Sequence, residues 1–297
     1  MKFVVCYKKV VRSSPSKMRT SISVALVVLG WFAVATASMM PTVAIGDASD
    51  ARSAFDSKNY LKTFNEWKVL ADRGDAIAQY QIATMYIQGF GVPADDSLAV
   101  KWFKMAADQG YLEAQYNVGV MYSQGKGVLQ SDTEAVHWWR KAAEQGHVDA
   151  QYYLGAMYAQ GKGVPHDDTQ VLQWWSRASE RGNAEAQYNL GVMYSEGKGV
   201  PRDETQAVRW WCKSAEQGNA HAQYYLGVMY SQGKGVPMDE PQAIQWLRKA
   251  AEQGNTEAQK DLGVRYSEGR GFPKTIPRPF SGISKPQRVA KRVSKPM

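Results

Sequence analysis

One period of 36 residues governs most of this chain. The triplet Ala-Gln-Tyr stands at Ala78-Gln79-Tyr80 and returns as Ala114-Gln115-Tyr116, Ala150-Gln151-Tyr152, Ala186-Gln187-Tyr188 and Ala222-Gln223-Tyr224. A degenerate copy, Ala258-Gln259-Lys260, falls at the next step. Register never slips. Such a period describes a supersecondary unit that cannot bury its apolar side alone and does so by stacking on its neighbours. Stacked arrays of this kind are extended surfaces that hold partners.

Each unit reads as helix, loop, helix. In the first helix, Ala114, Val118, Met121 and Tyr122 fall at i, i+4, i+7 and i+8, one helical stripe. Asn183, Asn219 and Asn255, with Asp75 earlier, are placed to cap its start. A Gly-x-Gly-Val-Pro loop follows, as at Gly161 to Pro165. Its glycines permit positive φ and its proline stops the helix. The second helix opens on Asp95, Ser131, Asp167, Asp203 and Asp239. Glu134, Gln170, Gln206 and Gln242 stand three residues after the last four, a capping-box pattern. It buries Ala135, Trp138, Trp139, Ala142 and Ala143 and stops at glycines such as Gly146. The tryptophans make two columns: Trp102, Trp138, Trp174, Trp210 and Trp246, then Trp67, Phe103, Trp139, Trp175, Trp211 and Leu247. The expected fold class is all-α, an α-solenoid of antiparallel helix pairs over residues 59–273, with a second-type helix at 59–73.

The ends differ from the middle. Of 36 Lys and Arg, six lie in residues 1–19 and seven in 274–297, and neither stretch holds an acid. The remainder has 23 basic against 28 acidic residues, so the array is mildly acidic despite a net charge of +8. Phosphate binding needs clustered cations, which excludes a nucleic-acid face on the repeats. Lys8, Lys9, Arg12, Lys17 and Arg19 precede an apolar run at 22–35, and Ala35-Thr36-Ala37 follows. That is the order of a secretory signal over residues 1–37, with a start at Met18 as an alternative. An uncleaved inner-membrane anchor is the competing reading, although the run is short against the roughly 20 residues of a spanning helix. Residues 38–58 are expected as a linker and N-terminal cap helix near 47–57. Lys260, Asp261 and Arg265 make the last first-type helix polar, as a terminal cap requires. Residues 274–297, basic and Pro-rich, are expected to be disordered.

No catalytic or metal constellation emerges. The glycine loops lack the spacing and preceding strand of a phosphate loop. His137, His147, His166 and His221 form no i, i+4 ligand pair, and His137 stands in a column of exposed polar residues. No carboxylate pair stands apart as acid and base. Cys6 precedes the apolar run; Cys212 shares a column with Lys104, Arg140, Ser176 and Arg248, read as an outer face where a reactive or dimer-forming thiol competes with a tolerated substitution.

The motif Ala-Gln-Tyr-x-Leu-Gly-x-Met-Tyr, then Gly-x-Gly-Val-Pro, then Ala-Val-x-Trp-Trp-x-x-Ala-Ala-Glu-Gln-Gly, resembles Sel1-like repeats, relatives of tetratricopeptide repeats. The likeness covers about residues 59–273. It implies a non-enzymatic scaffold or adaptor for protein complexes, periplasmic or secreted. It also implies that the first helix of each pair lines a concave groove. Tyr80, Tyr116, Tyr152, Tyr188 and Tyr224 would then project into it, with Val120, Ala156, Val192 and Val228 as a second lining column after Thr84. Tyrosine suits peptide capture, being rigid and apolar-bodied with a polar tip; packing between repeats is the competing role. The next position alternates, Gln81, Asn117, Tyr153, Asn189 and Tyr225, either tuned to a ligand or drifted. Some cysteine-rich members carry a disulfide in each repeat, and some relatives are linked to β-lactam binding or hydrolysis. The repeats here lack those cysteines. A third reading has the basic tail touching an anionic envelope polymer or lipid. No cofactor is implied, and the partner is a peptide or protein.

Overall fold

In a computed structural model the described residues, 59–269, form twelve α-helices and no strand. The expected signal segment, the cap helix near 47–57 and the basic tail lie outside the described residues. The helices are α1 (Tyr60–Asp72), α2 (Ala76–Gln88), α3 (Asp96–Asp108), α4 (Leu112–Gln124), α5 (Asp132–Glu144), α6 (Val148–Gln160), α7 (Asp168–Glu180), α8 (Ala184–Glu196), α9 (Glu204–Glu216), α10 (Ala220–Gln232), α11 (Glu240–Glu252) and α12 (Thr256–Glu268). Each packs against its neighbours in the chain. Even-numbered helices carry the Ala-Gln-Tyr anchors and odd-numbered ones the tryptophans.

Ends are set by side chains. Asp95, Asp203 and Asp239 each accept from the backbone N–H three residues on, as does Ser131, and Asp167 accepts from Thr169 and Gln170. The reciprocal half of the expected capping box is not used. The backbone N–H groups of Asp95, Ser131, Asp203 and Asp239 donate instead to the carbonyls of Tyr86, Tyr122, Tyr194 and Tyr230 on the preceding helix. In the remaining copy Gln170 accepts from the Trp174 indole at 3.1 Å. At their far ends the even helices close on glycines in the left-handed region, from Gly89 to Gly269.

The core is indole on glycine. A methyl group at Gly119, Gly155 or Gly191 would lie 2.5 Å from the ring of Trp139, Trp175 or Trp211. The even helix thus lets the ring lie flat on its backbone. Trp139, Trp175 and Trp211 are all buried, and Leu247 ends the column. The first column faces the other way. Trp138 joins the cluster of Val118 and Met121, and Trp174 joins that of Leu154 and Met157, so each odd helix also packs back onto the preceding pair. Lys68, Lys141, Arg177, Lys213 and Lys249 lie over Trp102, Trp138, Trp174, Trp210 and Trp246 at 4.1–5.1 Å.

Cys212 corrects the expectation of an outer face. It is 4 % exposed, in the cluster of Trp211, Ala215 and Tyr230. The column runs along the seam between an odd helix and the next even one. There Arg140 and Arg248 reach over to the hydroxyls of Tyr158 and Tyr266. A short side chain at the same place stays in the seam.

Candidate functional site

The second residue of each anchor ties the pairs together. Gln79, Gln115, Gln151, Gln187 and Gln223 are buried, and each donates its Nε2 to the carbonyl eight residues earlier, near the end of the preceding odd helix. Their Oε1 atoms accept from Gln109, Gln145, Gln217 and Gln253 at 2.7–2.8 Å in four of the five cases. The exception is Gln151. Arg181 replaces the glutamine there and donates to the carbonyl of Gly146 instead, and the Gln151 Oε1 is buried without a partner.

With Gln held inward, the next residue turns to the surface of the even helices. Tyr80, Tyr116, Tyr152, Tyr188 and Tyr224 are half-buried on one shared face, as are Val120, Ala156, Val192 and Val228. Both roles weighed for the tyrosines meet here, because each ring touches the adjoining repeat and still presents a surface. Tyr116 stacks on His147 at 4.3 Å and touches Tyr153 at 6.2 Å. Tyr80 meets Phe103 and Tyr111.

The alternating position follows a pattern. Tyr153 stacks on Trp139 at 5.0 Å and meets Tyr152 edge-on. Two repeats later Tyr225 stacks on Trp211 at 4.9 Å and meets Tyr224 in the same way. Asn117 and Asn189 hold the equivalent places beside Tyr80 and Tyr152. The face therefore carries two matching aromatic platforms, Tyr116-Tyr152-Tyr153 and Tyr188-Tyr224-Tyr225. The second borders an open cleft of about 330 Å³, whose walls include His221, Gly254, Asn255 and Glu257.

Burial, with carboxylates nearby, holds these phenols neutral. It pushes the Tyr188 hydroxyl up to about 12, with Tyr225, Glu185 and Glu196 adding to the effect. Tyr111 is also pushed up to about 12, first by burial and then by Tyr80, Glu113 and Asp75. Tyr116 is raised by burial, then by Tyr153, Asp149 and Glu113. Tyr80, Tyr152 and Tyr224 shift in the same direction, burial again leading. A neutral phenol both donates and accepts hydrogen bonds.

The caps of the even helices add a polar ladder. Asn183 and Asn219 accept from backbone N–H groups and donate to Asp149 and Glu185, 34 residues earlier. His147 takes the same place. Its Nδ1 accepts from the Ala150 N–H, and its Nε2 faces Glu113 at 3.1 Å. Its capping role was missed in the sequence, where histidine is no common cap; its alignment with Asn183 and Asn219 was the available signal. His137 is exposed against the edge of Trp138, and His166 lies 3.2 Å from Asp168. Among the described residues no group of three or more His, Cys, Asp and Glu is placed to hold a metal ion. No helix among them is long and apolar enough to cross a membrane.

Consecutive helix hairpins stacked at a constant step, with one even-helix face open, define a tetratricopeptide-like α-solenoid. The chain belongs to the Sel1 repeat family. The family model matches residues 76–111, 112–147, 148–183, 184–219, 220–255 and 256–274. Among solved structures, a Sel1 repeat protein from Oxalobacter formigenes is similar at 33 % identity and TM-score 0.69, covering 74 % of this chain and 90 % of that one. The c5321 protein, described as a protective antigen present in uropathogenic Escherichia coli strains with an SLR fold, is similar at 40 % identity and TM-score 0.67. That match covers 69 % of this chain and 44 % of the E. coli protein's length. No curated protein matches the chain. Sel1 repeat proteins are generally non-enzymatic scaffolds that mediate protein–protein interaction.

Proposed function

We infer that this chain is an exported, non-enzymatic adaptor that holds a segment of a protein partner against the tyrosine face of α2, α4, α6, α8 and α10. The carrying observation is the face itself: an unbroken row of half-buried tyrosines, doubled into platforms at Tyr153 and Tyr225, beside an open cleft. Rigid aromatic anchors in partly desolvated surroundings are what protein interfaces use for affinity. The leader-like order of residues 1–37 supports export to the periplasm or beyond.

The residues to change are Tyr153 and Tyr225. Both stack on a tryptophan of the preceding repeat, but Asn117 and Asn189 show that the fold accepts asparagine at the alternating position. Tyr153→Asn with Tyr225→Asn is expected to abolish recovery of a partner from the native envelope fraction while the helical circular dichroism stays unchanged. Undiminished recovery would remove the face from the account. Export predicts a mature protein beginning at Ser38; a leader retained in every fraction would count against it.

A further inference from the structure

We propose that the segment held on the tyrosine face is an extended peptide bearing lysine or arginine side chains, which lie over the two tyrosine platforms. This rests on the reading of that face as the partner site and adds the chemistry of what it takes. Three observations carry it.

First, α2, α4, α6, α8 and α10 contain no Lys and no Arg, although the chain has 36. The charged groups set against their tyrosines are carboxylates. Glu113 acts on Tyr80, Tyr111 and Tyr116; Asp149 on Tyr116; Glu185 on Tyr152 and Tyr188; Glu257 and Asp261 on Tyr224. Second, two of these carboxylates are met by neutral side chains: Asp149 and Glu185 accept from Asn183 and Asn219, which hold them in place without cancelling them. Third, the same fold treats its other aromatic column in the opposite way. Every first-column tryptophan on the odd helices already has its own lysine or arginine at 4.1–5.1 Å. Among the described residues no lysine or arginine is found over the rings of the two tyrosine platforms. Of the carboxylates alongside, Glu257 is paired with Lys260 at 3.1 Å and Glu113 faces His147, so Asp149 and Glu185, held by asparagines, are the ones left for a ligand cation. A ligand cation there gains from the ring quadrupole and the carboxylates together.

The test uses the full chain and three fluorescein-labelled 16-residue peptides of alternating composition, Arg-Ser, citrulline-Ser and Glu-Ser, read by fluorescence anisotropy. The Arg-Ser peptide is expected to bind at least about tenfold more tightly than the citrulline peptide, which keeps the shape and loses the charge. Its affinity is expected to fall as salt is raised. Asp149→Asn with Glu185→Gln keeps the acceptors for Asn183 and Asn219 and should weaken Arg-Ser binding about fivefold or more. Tyr153→Asn with Tyr225→Asn should weaken it about tenfold. No Arg-Ser binding, or equal binding of Arg-Ser and citrulline peptides, would overturn the proposal. In the second case, loss of binding in the tyrosine variant would leave the face as the partner site and discard only its preference for cations. Arg-Ser binding that ignores the tyrosine variant would show mere attraction to an acidic surface and also overturn it.

Discussion

Arg181→Gln is expected to stabilise the protein. At four junctions a glutamine ending an odd helix donates to the anchor glutamine 30 residues earlier, at 2.7–2.8 Å. At the fifth, Arg181 donates elsewhere and leaves the Gln151 Oε1 buried and alone. A buried acceptor without a partner costs about 1–3 kcal/mol, and a made hydrogen bond contributes about 0.5–1.5 kcal/mol net. The variant gives up the exposed bond from Arg181 to Gly146, so the expected net gain is about 1 kcal/mol. For an array of this length that corresponds to a rise of roughly 2–4 °C in melting temperature. The assay is urea unfolding followed by circular dichroism and tryptophan fluorescence, since repeat arrays can depart from two-state behaviour. The reverse change, Gln217→Arg, should strand the Gln187 Oε1 and lower stability by a similar amount. If Arg181→Gln leaves the midpoint unchanged or lowers it, the glutamine relay is not a stabilising element.

Three further outcomes follow from the same structure. Ser179 is buried with its hydroxyl unpartnered, in a column otherwise filled by Ala107, Ala143, Ala215 and Ala251; Ser179→Ala should be neutral or stabilising by about 1 kcal/mol in the same urea assay. Gly155→Ala drives a methyl group to 2.5 Å from the Trp175 ring and should cost about 1–3 kcal/mol, whereas Gly263→Ala, with nothing within 4 Å, should be tolerated. The third concerns alkali. Tyr111 and Tyr188 are held up to about 12 in the folded chain, against about 10 in an unfolded one. The folded state therefore favours the neutral phenol. That stabilisation is complete below pH 10 and is lost as the pH rises towards 12. Absorbance at 295 nm should show a set of tyrosines that ionises only above pH 10, in step with the loss of helicity.

What the sequence made legible was whatever repeats locally. Helix pairs, aspartate caps, loop glycines and the second tryptophan column are written within a few residues of where they act. Helical spacing is enough to read them. Other features depended on partners about 30 residues away. The glutamine of the anchor is an unremarkable polar residue until the helix end above it and the glutamine of the next repeat are both in place. Cys212 was misplaced because its column holds arginines that span the seam; the seam itself is a relation between two helices. The capping box failed in its second half for the same reason, because a tyrosine carbonyl on the neighbouring helix had already taken the donor. The alternation of Asn117, Tyr153, Asn189 and Tyr225 could not be separated from drift until Tyr153 and Tyr225 were seen stacked on Trp139 and Trp211 in matching geometry.

Site-specific photocrosslinking addresses most directly the claim that the tyrosine face holds the partner. Benzoylphenylalanine would replace Tyr153 or Tyr225 on that face, or exposed His137 on the opposite, tryptophan-bearing helices, in cells of the native organism. The account predicts a partner adduct of one defined size from positions 153 and 225 and none from 137. An adduct from 137 with none from the two tyrosine positions would contradict it.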